Sequence, residues 1–344
     1  MINKHTLLLT GGCGFIGTNF ILDWFQKDKG ALINLDKLTY AGNNKDYLAQ
    51  QLKDQPYHFY QGDINDASLL QKIFKEHQPT AIIHMAAESH VDRSISDPSL
   101  FIQTNVMGTF TLLEQAKNYF QQLSQAQKQK FLFLHVSTDE VYGALTTHQP
   151  AFHEQTPYAP NSPYSASKAG SDHLVRSYFH TYQLPTIITN CSNNFGPFQN
   201  TEKLIPLMIT HALQNKPLPI YGKGLQIRDW IPVQDHCTLL QIILEQGTIG
   251  ENYALGGNQE LSNLELVQFI CQLLDIHYPQ KHSYLDLITF VKDRAGHDFR
   301  YAIDTAKIEK EFDWHPEHQL QEHLLQTIHH YTSLTKQSQI KILK

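Results

Sequence analysis

The segment TLLLTGGCGFIG at residues 6–17 passes from an apolar run directly into a cluster of glycines. The apolar run predicts a buried strand over residues 6–10, and a helix is expected to begin inside the glycine cluster. Glycines here permit a tight turn, close approach of a pyrophosphate and close packing of helix against strand. The first N–H groups of such a helix attract phosphate. We therefore predict a dinucleotide site with contacts from Gly11, Gly14, Phe15, Ile16 and Gly17.

A second apolar run, at residues 31–35, ends at Asp36. An acid about 20 residues beyond the glycines is placed to accept a hydrogen bond from a ribose 2′-hydroxyl, and its charge favours NAD over NADP. The alternative for Asp36 is a solvated loop carboxylate. The expected cofactor is NAD.

Strands and helices alternate through the first half of the chain. Apolar runs at residues 57–61, 81–84 and 131–137 are separated by helical patterns, and a further run follows at 185–190. This alternation predicts an α/β fold built on a doubly wound parallel sheet, the Rossmann arrangement.

The pattern becomes irregular from about Asn193, where proline and glycine interrupt it repeatedly. We therefore predict a Rossmann domain over residues 1–192 and a smaller mixed lobe over residues 193–344 that binds the substrate. A segment at about 229–258 is expected to return to the first domain, because residues 252–255 read as one more strand of its sheet.

Composition excludes several classes of protein. The 344 residues are 41% hydrophobic, enough for a full core, and the net charge of −6 is too mild to indicate nucleic-acid binding. The absence of a signal-like segment and of 18 consecutive apolar residues predicts a cytoplasmic enzyme without membrane association. The four cysteines have no CxxC spacing, and the histidines of the tail fall on the polar faces of a predicted helix, so no metal site is expected.

A tyrosine and a lysine are spaced for joint action. Tyr164 and Lys168 lie four residues apart on a helix that Ser162 is expected to open, and they therefore share one face. An unperturbed tyrosine has a pKa of about 10, and the positive charges of Lys168 and an oxidised nicotinamide would favour the phenolate. Thr138, at the end of the preceding strand, could hydrogen-bond the same substrate oxygen. The alternative is a tyrosine packed over a lysine stem.

Two adjacent acids, Asp139 and Glu140, follow that strand directly. We expect them in the turn beyond the strand end, facing the cleft where open α/β sheets bind ligands. Two close carboxylates in a partly dry pocket should titrate apart, which suits one as an acid and the other as a base. This pair indicates elimination of water after an oxidation, and two solvated loop acids are the alternative.

In these motifs the chain resembles the extended short-chain dehydrogenase/reductases and, within them, the nucleotide-sugar 4,6-dehydratases. The resemblance extends over segments 11–17, 35–43, 62–64, 84–94, 104–105, 137–143, 164–168, 193–197, 203–206 and 227–230. Related 4-epimerases share the glycines and the Tyr-x-x-x-Lys spacing but lack the Thr-Asp-Glu run. The chain departs from the family pattern at Ala295, Phe299, Phe195 and Phe198, which puts nucleobase preference in doubt more than chemistry.

The resemblance implies a mechanism on dTDP-glucose. Tyr164 would take the 4-hydroxyl proton while hydride passes from C4 to NAD, and Lys168 and Thr138 would assist. Glu140 would then remove the C5 proton as Asp139 protonates the departing 6-hydroxyl. Hydride returning to C6 would give dTDP-4-keto-6-deoxy-glucose, with NAD regenerated.

The resemblance also implies binding residues and a homodimer built on helices near residues 97–120 and 162–182. The expected cofactor contacts beyond the glycine cluster are Asp36, Lys37, Asp63, Ile64, Ala86, Ser89, Asn105, Tyr164 and Lys168. The expected substrate contacts are Arg93, Asn194, Lys203, Leu204, Arg228, Asn263, Arg294 and His297. Each of these cations could instead be a solvated surface charge.

Three alternatives stay open at this point. The substrate could be a UDP- or CDP-sugar, the reaction could be 4-epimerisation, or the chain could be a noncatalytic NAD-sensing protein. The third alternative would be expected to have lost Tyr164 or Lys168, and both are present.

Overall fold

The computed structural model describes residues 5–293, 296–316 and 319–342, with side chains up to residue 335. The strands are β1 His5–Thr10, β2 Gly30–Asp36, β3 Tyr57–Gln61, β4 Ala81–His84, β5 Leu132–Thr138, β6 Thr186–Cys191, β7 Asn193–Phe195, β8 Leu218–Tyr221, β9 Ile227–Pro232, β10 Asn252–Leu255, β11 Glu260–Ser262 and β12 Ile288–Val291. The first six agree with the predicted runs to within one residue at each end.

Helices fill most of the connections between these strands. They are α1 Phe15–Gln26, α2 Lys45–Gln51, α3 Ala67–His77, α4 Val91–Ser96, α5 Ser99–Phe101, α6 Thr109–Gln122, α7 Gln125–Lys128, α8 Pro163–Tyr182, α9 Leu204–Leu213, α10 Val233–Gln246, α11 Asn263–His277, α12 Ala306–Phe312 and α13 Leu320–Ile342. A π-helical stretch, Ile102–Gly108, joins α5 to α6. Tight 3₁₀ turns occupy Asp139–Tyr142 and Tyr284–Leu287.

The main sheet has seven strands in the order β10-β6-β5-β4-β1-β2-β3, and all of its pairings are parallel. The chain thus has the predicted doubly wound α/β fold. The strand order reverses between β1 and β4, and in such sheets ligands bind at the carboxyl ends of the strands beside that reversal.

Both faces of this sheet are covered, which explains why its strands read as apolar runs rather than as alternating patterns. Leu7 of β1 faces a core that includes Trp24 of α1 and Ile243 of α10. Leu8, one residue later, faces the opposite core, which includes Leu112 of α6 and Val175 of α8.

The predicted return of β10 is confirmed, because it pairs in parallel with β6 at the edge of the main sheet. The remaining C-terminal strands form a three-stranded sheet, β11-β9-β7, and a two-stranded sheet, β12-β8. A separate core formed by α9, α11 and α13 accompanies them and includes Met208, Ile270 and Ile328. We propose that the boundary between the Rossmann domain and the C-terminal lobe lies between residues 192 and 193, and this second core supports it. Among the described helices, none has both the length and the hydrophobicity that crossing a bilayer requires.

Candidate active site

A cleft lies at the carboxyl ends of the parallel strands, between the main sheet and the C-terminal lobe. Many of the predicted site residues line it together. They are Gly11, Gly14, Phe15, Ile16, Gly17, Asp36, Lys37, Asp63, Ile64, Ala86, Ser89, Thr138, Asp139, Glu140, Tyr164, Lys168, Asn194 and Lys203.

The glycine turn is shaped to leave room at the start of α1. Gly11 has φ of +77°, and a Cβ added there would lie 2.8 Å from the backbone of Ala86. A Cβ at Gly17 would lie 2.5 Å from the carbonyl oxygen of Gly11. Gly14 precedes the first helical residue, Phe15, and offers no side chain to accept from the N–H groups of the first turn. These N–H groups can therefore serve a phosphate.

Asp36 is held in place by the glycine turn itself. Its carboxylate accepts hydrogen bonds from the backbone N–H of Cys13 at 2.9 Å and of Leu38 at 2.8 Å. Burial raises the pKa of Asp36, and these two hydrogen bonds oppose the rise. Nearby, the Lys37 ammonium lies 2.7 Å from the Asp63 carboxylate, so two expected cofactor contacts form an ion pair.

The two predicted acids occupy the turn directly after β5. Thr138, the last residue of the strand, accepts a hydrogen bond from the Glu140 N–H at 3.3 Å and donates one to Asp139 Oδ1 at 3.2 Å. Asp139 is only 2% exposed. Burial, followed by the charges of Glu140 and Asp229, raises the pKa of Asp139 well above its usual range. These surroundings favour the protonated form of Asp139.

Helix α8 delivers the tyrosine and the lysine. Ser162 caps this helix through reciprocal hydrogen bonds with Ser165, as the sequence predicts for its start. Tyr164 and Lys168 are both buried. The Lys168 ammonium donates to the Val136 carbonyl at 2.9 Å, and burial lowers its pKa.

The surroundings of Tyr164 add a condition to its activation. Burial raises the pKa of Tyr164 well above its usual value, and the charges of Glu140 and Cys191 add to this rise. A hydrogen bond with Thr138 lowers it. Because burial and the charge of Glu140 oppose formation of the phenolate, its formation would depend on positive charge from Lys168 and from a bound oxidised nicotinamide.

Some of the predicted substrate contacts link the two parts of the chain. The Lys203 ammonium donates to the Ser89 carbonyl at 3.0 Å across the cleft. The Asn194 amide oxygen lies 2.8 Å from Nδ1 of His236, which is fully buried. Arg93 lies over the Tyr40 ring at 3.7 Å and contacts Glu202 at 2.7 Å.

Six predicted residues lie outside the lining of the cleft, namely Arg93, Asn105, Leu204, Arg228, Asn263 and His297. Asn105 lies in the π-helical stretch, where its amide exchanges hydrogen bonds with the backbone of Glu88 at 2.8 and 3.0 Å and so supports the cofactor-side loop. Arg228 is 5% exposed, donates to the Asp298 carbonyl at 2.9 Å and lies 4.2 Å from the Tyr301 ring.

The other outlying residues flank the C-terminal lobe. His297 Nδ1 lies 2.7 Å from the Asp293 carboxylate. Leu204 begins α9 and Asn263 begins α11. Arg294 falls outside the described residues.

Sequence reasoning missed several residues that line the cleft. They are Leu35, Thr39, Ala41, Gly42, Gly62, Met85, Ala87, Glu88, Thr104, Val136, Ser137, Cys191, Ser192, Asn193, Gln199 and Asn200. Most of them follow strand ends or lie in segments that carry the family resemblance. Either feature could have predicted them as site residues. Within the described ranges, no three His, Cys, Asp or Glu side chains form a group suited to a metal ion.

Comparison with known proteins bears directly on this arrangement. The family model described as GDP-mannose 4,6 dehydratase matches residues 8–327. The dTDP-glucose 4,6-dehydratase of Haemophilus influenzae is 52% identical over 330 residues, covering 94% of this chain and 97% of the relative. The chain belongs to the dTDP-glucose 4,6-dehydratase family.

Solved structures of this family share the fold. The dTDP-glucose 4,6-dehydratase of Bacillus anthracis, in complex with NAD, superposes with a TM-score of 0.83 at 44% identity, covering 95% of this chain and 96% of that one. The enzyme from Streptomyces venezuelae, also with NAD bound, gives a TM-score of 0.86 at 42% identity, covering 95% and 97%. The sequence-based assignment to the nucleotide-sugar 4,6-dehydratases is therefore confirmed.

Proposed function

We propose that this chain converts dTDP-glucose to dTDP-4-keto-6-deoxy-glucose with NAD as a regenerated cofactor. The proposal rests on one observation above all, the meeting of the Asp139–Glu140 turn with Tyr164 and Lys168 in a single cleft. Similarity to dTDP-glucose 4,6-dehydratases over nearly the full length of the chain supports the proposal. The residue roles proposed below are those that the sequence predicts.

The cleft suits NAD. The space left by Gly11, Gly14 and Gly17 fits a pyrophosphate at the start of α1, and a Cβ at Gly11 would strike Ala86. Asp36, anchored by two backbone N–H groups, keeps lone pairs for ribose hydroxyls, and its charge would repel a 2′-phosphate. When bound, NAD supplies a hydride acceptor for the sugar C4 and returns the hydride to C6.

Tyr164 is proposed as the base for the oxidation. Its phenolate takes the proton of the 4-hydroxyl, and the Lys168 ammonium stabilises that phenolate. The Thr138 hydroxyl hydrogen-bonds the phenol and is proposed to bind the same substrate oxygen. The resulting 4-ketone acidifies the hydrogen at C5.

Asp139 and Glu140 are proposed to carry the elimination. Glu140 removes the C5 proton while Asp139, protonated because it is buried beside two carboxylates, donates a proton to the leaving 6-hydroxyl. Glu140 then returns its proton to C5. A 4-epimerase has no use for this pair, because its substrate loses no water.

Lys203 and Asn194, which line the cleft, are proposed to bind the diphosphate side of the substrate. Arg228, Asn263, Arg294 and His297 are proposed to act at the nucleotide end, with Leu204 and Arg93 at the mouth. We also propose a cytoplasmic location, as the sequence predicts.

The test is the reaction of dTDP-glucose in deuterated water. The expected product has lost one water, carries deuterium at C5, and keeps at C6 the hydrogen that came from C4. Retention of the 6-hydroxyl would instead mean epimerisation and overturn the proposal. Parallel assays with UDP- and CDP-glucose measure how strictly the nucleobase is selected.

A homodimer is also proposed. Apolar side chains are exposed on the adjacent elements α4, α5, α6 and α8 and the π-helical stretch; they are Ile95 49%, Leu100 53%, Ile102 48%, Met107 44%, Phe110 40% and Tyr182 45% exposed. Such a cluster is typical of a protein interface. Leu100→Glu should convert a dimer to monomers in sedimentation velocity. Ile276→Glu, at a site 70% exposed on α11, is the control and should leave the mass unchanged. A monomeric wild type would disprove the dimer.

A further inference from the structure

A polar network lies behind Lys168, on the side away from the cleft. Its centre is Asp172, which follows Lys168 by one turn of α8 and is 1% exposed. Asp172 Oδ2 accepts hydrogen bonds from the hydroxyls of Ser137 and Tyr158, both at 2.9 Å, and from the Asn190 amide at 3.1 Å. Three donors converging on one oxygen suit a carboxylate anion.

His135 connects this carboxylate to the catalytic lysine. Its Nε2 lies 3.2 Å from Asp172 Oδ1 and 3.4 Å from the Lys168 ammonium, and the ring is fully buried. Burial, and then the charge of Lys168, lowers the pKa of His135 to about 4. The ring is thus neutral at physiological pH. Its Nε2 atom, which faces both groups, can either donate to Asp172 or accept from Lys168, but cannot do both at once. Lys168 and Asp172 therefore carry the charges on the two sides of the neutral His135 ring.

Lys168 needs such a counter-charge. It is 4% exposed, its ammonium donates to the Val136 carbonyl, and burial favours loss of its proton, which the charge of Asp172 opposes. The positive nicotinamide expected beside it would weaken its hold on the proton further.

We propose that Asp172 is the buried counter-ion of Lys168, which it stabilises electrostatically from the far side of His135, and that it acts as a positioning residue for the oxidation at C4. This inference rests on the proposed function and adds a residue to it. By keeping the ammonium charged, Asp172 maintains the positive field in which Tyr164 ionises.

The same network braces the catalytic turn. The Asn190 amide that donates to Asp172 also donates to the Thr138 carbonyl at 3.2 Å, and the Tyr142 hydroxyl donates to Asn190 Oδ1 at 3.2 Å. Other titratable groups that act on these residues are His84 on β4, Cys191 on β6, Tyr158 in the preceding loop, and Asp139 and Glu140 in the turn. A test must therefore isolate Lys168 from the acids of the elimination step.

The probe is dTDP-6-deoxy-glucose, which has a 4-hydroxyl to oxidise but no 6-hydroxyl to expel. Its reaction stops at reduction of bound NAD, so the absorbance change reports only the step that uses Tyr164 and Lys168. Asp172→Asn should move the basic limb of the pH–rate profile to lower pH by about one unit, because the charge of Asp172 raises the pKa of Lys168 and an opposite charge commonly shifts a pKa by ~1–3 units. Below that limb, its rate should stay within about tenfold of wild type.

Tyr158→Phe is the matched control, because it removes one hydrogen bond from the carboxylate and keeps its charge. The control should leave the basic limb in place. A uniformly slower Asp172→Asn enzyme with an unmoved basic limb would overturn the proposal and reduce Asp172 to a structural role.

A second measurement covers the case in which Asp172→Asn fails to fold alone. Lys168→Met should lower the thermal midpoint because it leaves a buried anion without its counter-ion, and adding Asp172→Asn should then raise the midpoint again. A further fall in the double variant would overturn the pairing. Failure of the wild type to reduce NAD with the probe would instead overturn the proposed function, while the thermal comparison would still decide the ion pair.

Discussion

Replacing Asp139 with asparagine should separate the two halves of the reaction. The substitution keeps the size of the side chain and an oxygen that can accept the Thr138 hydrogen bond, but it removes the acidic proton. Because oxidation at C4 is proposed to use Tyr164 and Lys168, Asp139→Asn should still reduce bound NAD. Departure of the 6-hydroxyl then lacks its proton donor.

The expected loss in the elimination step is about 10²- to 10⁴-fold, the usual contribution of a positioned general acid. The burial of Asp139 places it in this range, because at 2% exposure bulk water has little access to replace the missing donor. With the second step slow and the first intact, the reduced cofactor should accumulate during a single turnover.

The same substitution should stabilise the fold. The pKa of Asp139 is raised in the folded state by burial and by neighbouring carboxylates, so above the ordinary carboxyl pKa the protein must take up a proton to fold. Each unit of such a rise costs about 1.4 kcal/mol. Asp139→Asn should therefore be more stable than the wild type at neutral pH. The gain should vanish at acidic pH, where the carboxyl is protonated in both states.

Stopped-flow absorbance of the reduced nicotinamide, mass spectrometry of the quenched sugar and urea unfolding at two pH values measure these effects together. Dehydration at the wild-type rate would refute the acid role of Asp139. Equal loss of cofactor reduction and dehydration would show that the residue shapes the whole site rather than the second step.

Three further predictions concern other parts of the site. Tyr164→Phe should keep the ring packing against Phe101 and retain NAD, yet slow cofactor reduction about 10²- to 10⁴-fold; an unchanged rate in stopped-flow absorbance would contradict the base assignment. Asp229→Asn removes a charge that raises the pKa of Asp139, so Asp139 should lose its proton at a lower pH than in the wild type. The basic limb of the dehydration pH profile should therefore move to lower pH, and a move to higher pH would contradict the prediction. Gly11→Ala should cost about 1–3 kcal/mol in urea unfolding and release bound NAD, because φ is +77° and the methyl would lie 2.8 Å from the Ala86 backbone; full NAD content after gel filtration would argue against the predicted turn.

Much of the fold could be predicted because its signals are local. The strand, glycine turn and helix at residues 5–26 are consecutive, and Ser162 caps the helix that begins right after it. The position of Asp139 and Glu140 beyond β5 follows from the end of an apolar run. The structure finds each of these elements where the sequence predicts it.

Contacts between distant residues could not be predicted in the same way. Nothing near Asp172 in the sequence indicates that Ser137, Tyr158 and Asn190 converge on its carboxylate. Likewise, the predicted cation Arg228 is found against Tyr301 and backbone carbonyls, in contacts that depend on a segment some 70 residues away.

The order of residues alone determined the class of fold and the cofactor turn, and it indicated the proposed reacting groups, because hydrophobic period, glycine conformation and side-chain spacing act over a few residues. Tertiary packing decided how those groups behave. It buried Asp139 beside Glu140 and Asp229, which raises the pKa of Asp139, and it placed His135 between Asp172 and Lys168. Burial and electrostatic fields arise only when strands far apart in sequence close around one site, and so they depend on the folded structure.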